Sequence, residues 1–295
     1  MSDQAKVLRQ LAKNAKQGAQ HPSLCLPGCR VVAITSGKGG VGKTNLTVNL
    51  ALALKEQGKR VLVFDADLGL ANIDVIMGII PSLTLTHVMK GEKKLKDIIV
   101  YEHGIGLIAG SSGVEEFLNL QEWQLQNFLR ELQQLDGMGD FIFIDTGAGI
   151  SHQVLGFVLV ATDIILVTTP EPSAITDAYA LLKVIASKNK EAIVRLVVNR
   201  AMNPREARQV LNKLKLVTKE FLAMELLDLG YIVEDPRIPR AVKAQEPFLY
   251  SYPHSPASLC LHKVADRLLS KSGDDIPPRA DNLKGFFQRM FSLFH

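Results

Sequence analysis

The 295-residue chain carries three cysteines and one tryptophan, and aromatic residues make up only 6% of it. Cys25, Cys29 and Cys260 are too few for a disulfide scaffold, so the expected setting is a reducing compartment. The pair Cys25-Leu-Pro-Gly-Cys29 would supply half of a metal site completed by a second subunit; free thiols in a linker are the simpler reading, because no further Cys/His cluster accompanies them. No stretch approaches the ~18 apolar residues of a membrane span, and the N-terminus lacks the apolar run of a signal peptide. The expectation is a cytoplasmic protein, peripherally associated at most with the inner face of the cell membrane. A strong charge of one sign is missing too: Lys and Arg number 34 against 30 Asp and Glu, for a net charge of +4. That excess permits weak attraction to anionic surfaces and does not by itself imply nucleic acid. There is no internal repeat and no low-complexity tract.

What remains is an ordinary globular composition, 47% hydrophobic and 22% charged. Apolar β-branched runs predict strands over 31–35, 60–65, 106–109, 141–145, 164–168, 194–199 and 229–233. Helical patterns fall between them, at about 43–57, 114–135, 151–161, 174–187, 204–222 and 256–270. Strands buried on both faces and alternating with helices imply an α/β fold: a mostly parallel sheet of about seven or eight strands with helices on both faces. A short amphipathic helix over 3–17 precedes a Pro/Gly/Cys linker, 19–29. A polar, Pro-bearing linker, 271–282, precedes a last apolar helix within 283–295. The organisation read from the chain is an N-terminal helix in 1–18, one domain over 30–270, and a C-terminal helix.

The segment Gly37-Lys38-Gly39-Gly40-Val41-Gly42-Lys43-Thr44 follows a strand and opens a helix, the context a phosphate-binding loop requires. Glycines let backbone N–H groups turn in around phosphate oxygens, and the helix N-terminus adds partial positive charge. Lys43 is expected to bridge the β- and γ-phosphates, and the Thr44 hydroxyl to ligate Mg²⁺, with Asn45 next to them. Two strands end in acids: Asp65-Ala-Asp67 and Asp145-Thr-Gly-Ala-Gly149. In open parallel sheets the strand C-termini face the ligand crevice, so these carboxylates are candidates for the metal and the attacking water; helix capping is the competing role for each. A guanine reader would be Asn-Lys-x-Asp, whereas this chain has Val-Asn199-Arg200-Ala-Met, which favours ATP over GTP.

With these motifs, nearly all of 30–270 resembles the MinD/ParA-type P-loop ATPases with a deviant Walker A motif. The resemblance implies an ATP-hydrolysing, Mg²⁺-dependent enzyme and an ATP-dependent homodimer. Lys38 would be the signature lysine that reaches the partner's phosphates, Asp67 would position the hydrolytic water, and Asp145 would be the Walker B carboxylate with Asp65 holding Mg²⁺ through water. Asn199 and Arg200 would contact adenine, closed on its other side by the loop Ile232-Val-Glu-Asp235-Pro, where the family commonly has Pro in place of Val233. Independently of the resemblance, a second cation on the phosphates is a plausible catalytic element, since phosphoryl transfer needs charge neutralisation more than covalent chemistry. A solvent-facing loop lysine is the plainer role for Lys38.

Within that family DADLGLANIDVIMG (65–78), DTGAGI (145–150) and EPSAITDAYALLKVI (171–185) resemble the flagellar-number and flagellar-site regulators of the FlhG, FleN or YlxH group. The start Asp3-Gln4-Ala5-x-x-Leu8-Arg9 matches that group's short activator motif. The resemblance implies that Gln4, Leu8 and Arg9 dock on an FlhF-type GTPase and stimulate its hydrolysis. It also leaves room for flagellar basal-body or transcription-regulator partners. The C-terminal helix reads without the resemblance: at about 100° per residue Phe286, Phe287, Met290, Phe291 and Phe294 gather on one side and Lys284, Gln288 and Arg289 on the other. That face suits shallow insertion into an anionic inner membrane surface, or packing on the domain, or both in turn. A division-site MinD-type ATPase and a ParA-type DNA-partitioning ATPase are the alternatives. The modest net charge and the aromatic C-terminal helix argue against DNA as a partner. An iron–sulfur carrier of the same superfamily would need cysteines near the dimer axis or a C-terminal Cys-x-x-Cys.

Overall fold

The computed structural model of the chain describes residues 29–67, 72–110, 131, 135 and 137–270. The expected segments 1–18, 19–28 and 271–295, with Gln4, Leu8, Arg9 and Phe286 to Phe294, lie outside the described residues. So does nearly all of the helix expected at 114–135.

Each of the seven expected strands is present, and an eighth joins them. In chain order they are β1 (Arg30–Ser36), β2 (Val61–Ala66), β3 (Ile99–Glu102), β4 (Ile105–Ile108), β5 (Phe141–Ala148), β6 (Asp163–Thr168), β7 (Val194–Ala201) and β8 (Leu226–Val233). They form one eight-stranded sheet in the order β3-β4-β2-β5-β1-β6-β7-β8. Every pairing is parallel except the β3–β4 hairpin at one edge. The helices among the described residues are α1 (Lys43–Glu56), α2 (Ile73–Met77), α3 (Leu85–Met89), α4 (His152–Val160), α5 (Pro172–Lys188), α6 (Pro204–Leu222), α7 (Arg237–Ala244), α8 (Phe248–Ser251) and α9 (Pro256–Ser270).

Two apolar layers sandwich the sheet. Alternate residues of β1 part between them: Val31 and Ala33 join α4, α5 and α6 on one face, while Val32 and Ile34 join α1 and α9 on the other. Both faces of the central strands are buried, which is why these strands read as continuous apolar runs. The order places β1 between β5 and β6, so the loop after β1 lies at the centre of the strand C-terminal edge, flanked by the ends of β5 and β6.

At the opposite edge, where the strands begin, the charges are paired. Asp163 is fully buried and accepts from Arg30 Nε and Nη2 at 3.2 and 2.9 Å and from Arg195 Nε at 2.9 Å. Arg195 is itself buried, and its Nη1 makes no hydrogen bond. Arg30 also donates to the carbonyl of Leu268 and lies over the Phe141 ring, its guanidinium carbon 5.1 Å from the ring centroid, tying the start of β1 to the last turn of α9.

Candidate nucleotide site

The phosphate loop is held from three sides. Gly37 lies so close to the backbone of Asp177 in α5 that a Cβ there would collide with it. Gly40 and Gly42 have φ of 75° and 90°, the left-handed region that only glycine adopts without strain. The Asn199 side chain, at the end of β7, donates to the Val41 carbonyl at 2.7 Å, and its amide nitrogen occupies the space where a Cβ of Gly42 would stand. Asn199 therefore buttresses the loop as well as standing beside it.

α1 begins at Lys43 with Gly42 as its N-cap, no side-chain cap and no acid in its first turn. A helix start left uncapped, behind a loop of glycines, presents unpaired N–H donors and partial positive charge to an anion. Lys43 is buried there, at 7% exposure. Asn45 accepts from the Asn49 side-chain amide, whose Oδ1 accepts from the Leu249 backbone amide at 2.9 Å, linking the loop's helix to α8.

Beneath the loop the carboxylates converge. Asp65 and Asp145 are register partners on the neighbouring strands β2 and β5, so their side chains share one face of the sheet. Both are almost fully buried. Asp65 accepts from the backbone N–H groups of Asp67, Asn72 and Ile73, and so also caps α2. Burial, and after it the Asp145 charge, pushes the Asp65 carboxyl up to about 7. Burial pushes Asp145 up to about 6, against the restraining effects of Thr44, Lys43 and Thr47 and with a further push from Asp67. Thr47 donates to Asp145 Oδ1 at 3.0 Å; Oδ2 is buried and has no hydrogen-bond partner. Asp67 lies over Gly147, its Oδ1 3.6 Å from the position a Cβ would take there.

This arrangement fits Mg²⁺. An orphaned, buried carboxylate oxygen beside a second buried acid and a Thr hydroxyl is a donor set short of one cation. Among the described residues no group of three or more His, Cys, Asp and Glu forms a cage. Mg²⁺ needs none, since it is commonly held by phosphate oxygens, water and one or two carboxylates.

Lys38 points elsewhere. Its ammonium pairs with Glu171 Oε2 at 3.0 Å and with Ser173 Oγ at 2.9 Å, at the start of α5, and its side chain is 40% exposed. Arg200 is exposed with φ of 56°, a strained conformation for a residue with a side chain, in the irregular last turn of β7. Asp235 is buried and accepts from the Arg237 amide at 2.9 Å, so its carboxylate is spent on the entry to α7. The structure thus gathers the loop from Gly37 to Asn45 with Asp65, Asp67, Asp145 and Asn199, and leaves the Lys38 ammonium on α5, Arg200 exposed and the Asp235 carboxylate turned to its own loop.

Sequence reasoning missed Thr47, Glu171 and Ser173. Thr47 was legible as the residue one helical turn after Lys43. Glu171 and Ser173 follow β6, which neighbours β1, but that adjacency belongs to the topology.

The sequence profile of the CobQ/CobB/MinD/ParA nucleotide binding domain matches residues 32–248. The chain is 38% identical over 254 residues to the antiactivator FleN of Pseudomonas aeruginosa, covering 86% of this chain and 89% of that protein. It is 41% identical over 268 residues to the flagellum site-determining protein YlxH of Helicobacter pylori, covering 88% and 89%. Among solved structures it is similar to the septum site-determining protein MinD of Pyrococcus horikoshii, complexed with Mg-ADP, with a TM-score of 0.67 and 29% identity over 83% of this chain and 98% of that one.

Proposed function

From its place in the CobQ/CobB/MinD/ParA nucleotide-binding family, to which this chain belongs, we propose that it is an ATP-hydrolysing switch that dimerises with ATP and regulates the number and placement of flagella. One observation carries the flagellar reading: FleN and YlxH match most of the chain at 38% and 41% identity, against 29% for the MinD structure.

The site's chemistry supports the nucleotide part. Lys43 and the uncapped start of α1 bind the β- and γ-phosphates, and the left-handed glycines bring the backbone against them. Thr44 and Asp145, with Asp65 through water, would hold Mg²⁺, which supplies charge neutralisation on the phosphates when bound. Asp67 orients the attacking water from the rim of the same cluster. Lys38 leaves Glu171 and Ser173 to serve the site of a second copy, so that nucleotide occupancy becomes a dimerisation signal. Asn199 and Arg200 face the base, with the backbone around Asp235 on its other side.

The chain ends carry the output. The segment with Gln4, Leu8 and Arg9 docks on an FlhF-type GTPase. The segment with Phe286, Phe287, Met290, Phe291 and Phe294 engages the inner membrane surface. Two such anchors on a dimer hold far better than one, which would couple ATP to membrane residence. Among the described residues no helix is long and apolar enough to cross a membrane.

Size-exclusion chromatography with ATP, ADP and no nucleotide tests the switch. The dimer is expected with ATP alone and is lost in Lys38→Ala; an ATP dimer that persists in that variant contradicts the role of Lys38. Deleting residues 2–10 separates a flagellar regulator from a division-site MinD. It should abolish stimulation of the flagellar GTPase, and unchanged stimulation defeats the flagellar reading.

A further inference from the structure

The nucleotide site takes up the strand ends, and the two flanks of the sheet are formed by β3 and β8. β8 is guarded: its ladder with β7 shifts register twice, and irregularities of this kind keep a flanking strand from pairing with another chain. β3, Ile99-Val100-Tyr101-Glu102, pairs with β4 without a shift and contains neither proline nor lysine.

The turn after β3 fixes which of its backbone groups point outward. His103 and Gly104 form a two-residue turn with φ of 50° and 81°, positive at both positions as in the type I′ turn of a tight hairpin. In such a hairpin the residues bracketing the turn, Glu102 and Ile105, exchange hydrogen bonds, and every second pair repeats the pattern. Val100 and Glu102 therefore bond to β4, while Ile99 and Tyr101 turn their N–H and C=O groups away from the sheet. Among the described residues nothing bonds to those outward groups.

Side chains alternate across this row. On one face Tyr101, 60% exposed, stands beside Gly106. On the other face Val100 is one wall of a cleft of about 490 Å³, its open mouth included, formed with Ile73, Ile79, Pro81 and Leu107. Ile80, between two of the lining residues, is 96% exposed. Just ahead of β3, Lys90, Lys93, Lys94 and Lys96 are all exposed. Glu92 and Asp97 are the acids among them, and the Asp97 carboxylate accepts from the Lys94 amide.

We propose that β3 is a docking edge for an extended acidic segment of another protein, which joins the sheet as a ninth strand. The outward groups of Ile99 and Tyr101 supply the pairing, and alternate side chains supply the selectivity. The added residue opposite Val100 faces the cleft, which takes an apolar side chain. Its neighbours pack beside Tyr101. The lysines set the polarity: acids belong at the end that meets Ile99, away from Glu102. That charge match favours an acidic segment over a second copy of β3, which would bring one glutamate, Glu102, together with Lys55 to four lysines. The proposal is independent of the flagellar and membrane readings.

Amide exchange of the full chain without nucleotide tests the open edge first. Ile99 and Tyr101 should exchange at least roughly tenfold faster than Val100 and Glu102, which are bonded to β4. Equal protection of all four means that the edge is already covered and overturns the proposal. The full chain then selects from a random-peptide display library. The recovered peptides should alternate apolar residues, carry acids at one end and slow exchange at Ile99 and Tyr101. Tyr101→Pro should weaken them about tenfold or more, because it removes an outward N–H that β4 does not use. Tyr101→Thr keeps that N–H and should cost less than about fivefold. Lys93→Glu combined with Lys96→Glu should cost roughly tenfold at low salt, and it carries the test should the proline variant fail to fold. No enriched peptide, a basic consensus, or binders indifferent to these substitutions would leave β3 an edge protected by its shortness alone and refute the docking site.

Discussion

Asp163, where the strands begin, and Asp145, where they end, are equally buried, yet the first receives three hydrogen bonds from two guanidiniums and the second keeps one oxygen with none. Asp163 sits between Arg30 and Arg195 and helps pin β1, β6, β7 and the end of α9 together. Asp145 faces Asp65 across one strand pairing, and burial pushes both carboxyls above the usual range, to about 6 and about 7. The difference teaches what each edge is for. Charge at the strand starts is internally compensated and serves the fold. Charge at the strand ends is compensated only in part, by Lys43, Thr47 and backbone N–H groups, which leaves room for a cation to stabilise the fold there.

The comparison breaks most visibly at Asp163. Asp163→Asn leaves the buried guanidinium of Arg195 and the half-buried one of Arg30 without their carboxylate, and urea unfolding should show a loss of about 3–5 kcal/mol. Nucleotide affinity of the folded fraction should be unchanged. A smaller effect is expected from Lys43→Ala, which removes the buried ammonium at the other edge. Calorimetry should find Mg-ADP affinity reduced roughly 10²–10³-fold, the scale expected when a dry site can no longer make a charge-assisted hydrogen bond to phosphate.

pH sharpens the contrast further. The raised carboxyls at the strand ends bind protons more readily in the folded state than in the unfolded one. Nucleotide-free stability should therefore rise as pH falls from about 8 towards about 5, by on the order of 1–3 kcal/mol, and the penalty should be complete above about pH 8. Denaturant midpoints at pH 7.5 and 5.5 measure it. Saturating Mg-ADP should flatten the slope, because the bound cation keeps the carboxylates ionised. The smallest stability change belongs to Glu171→Ala. Its pair with Lys38 is solvent-exposed on both sides, so less than about 1 kcal/mol is expected, and the oligomeric state with ATP is the more sensitive readout.

Much of this contrast was legible in the chain, and its illegible parts share a cause. The central strands were readable because burial on both faces makes their apolar runs continuous, and the phosphate loop was readable because its glycines and Lys43 are contiguous. β3 was missed: Ile99–Glu102 is four residues long, pairs antiparallel at the sheet edge and is only half-buried. α2 and α3 span five residues each, too few to display a helical period. α7 was hidden by Pro239, which stands within its first turn, where proline is tolerated. In the site, Asp65, Asp67 and Asp145 could be placed from their positions at strand ends. The attachment of Lys38 to Glu171 and Ser173, 133 and 135 residues away, could not, since it depends on β1 lying beside β6. The Asp163 cluster likewise joins the starts of three strands that only the sheet order brings together.

Asp145→Asn tests most directly whether the strand ends are built for a cation and nucleotide. The substitution keeps the shape of the side chain and removes its charge. In urea at pH 7.5 without nucleotide, the variant should be more stable than wild type by about 1–3 kcal/mol, opposite in sign to Asp163→Asn. The additional stabilisation that Mg²⁺ gives the ADP-bound wild type should be absent from the variant. A variant that is destabilised without nucleotide, yet still gains the full Mg²⁺-dependent increment with ADP, would contradict the account.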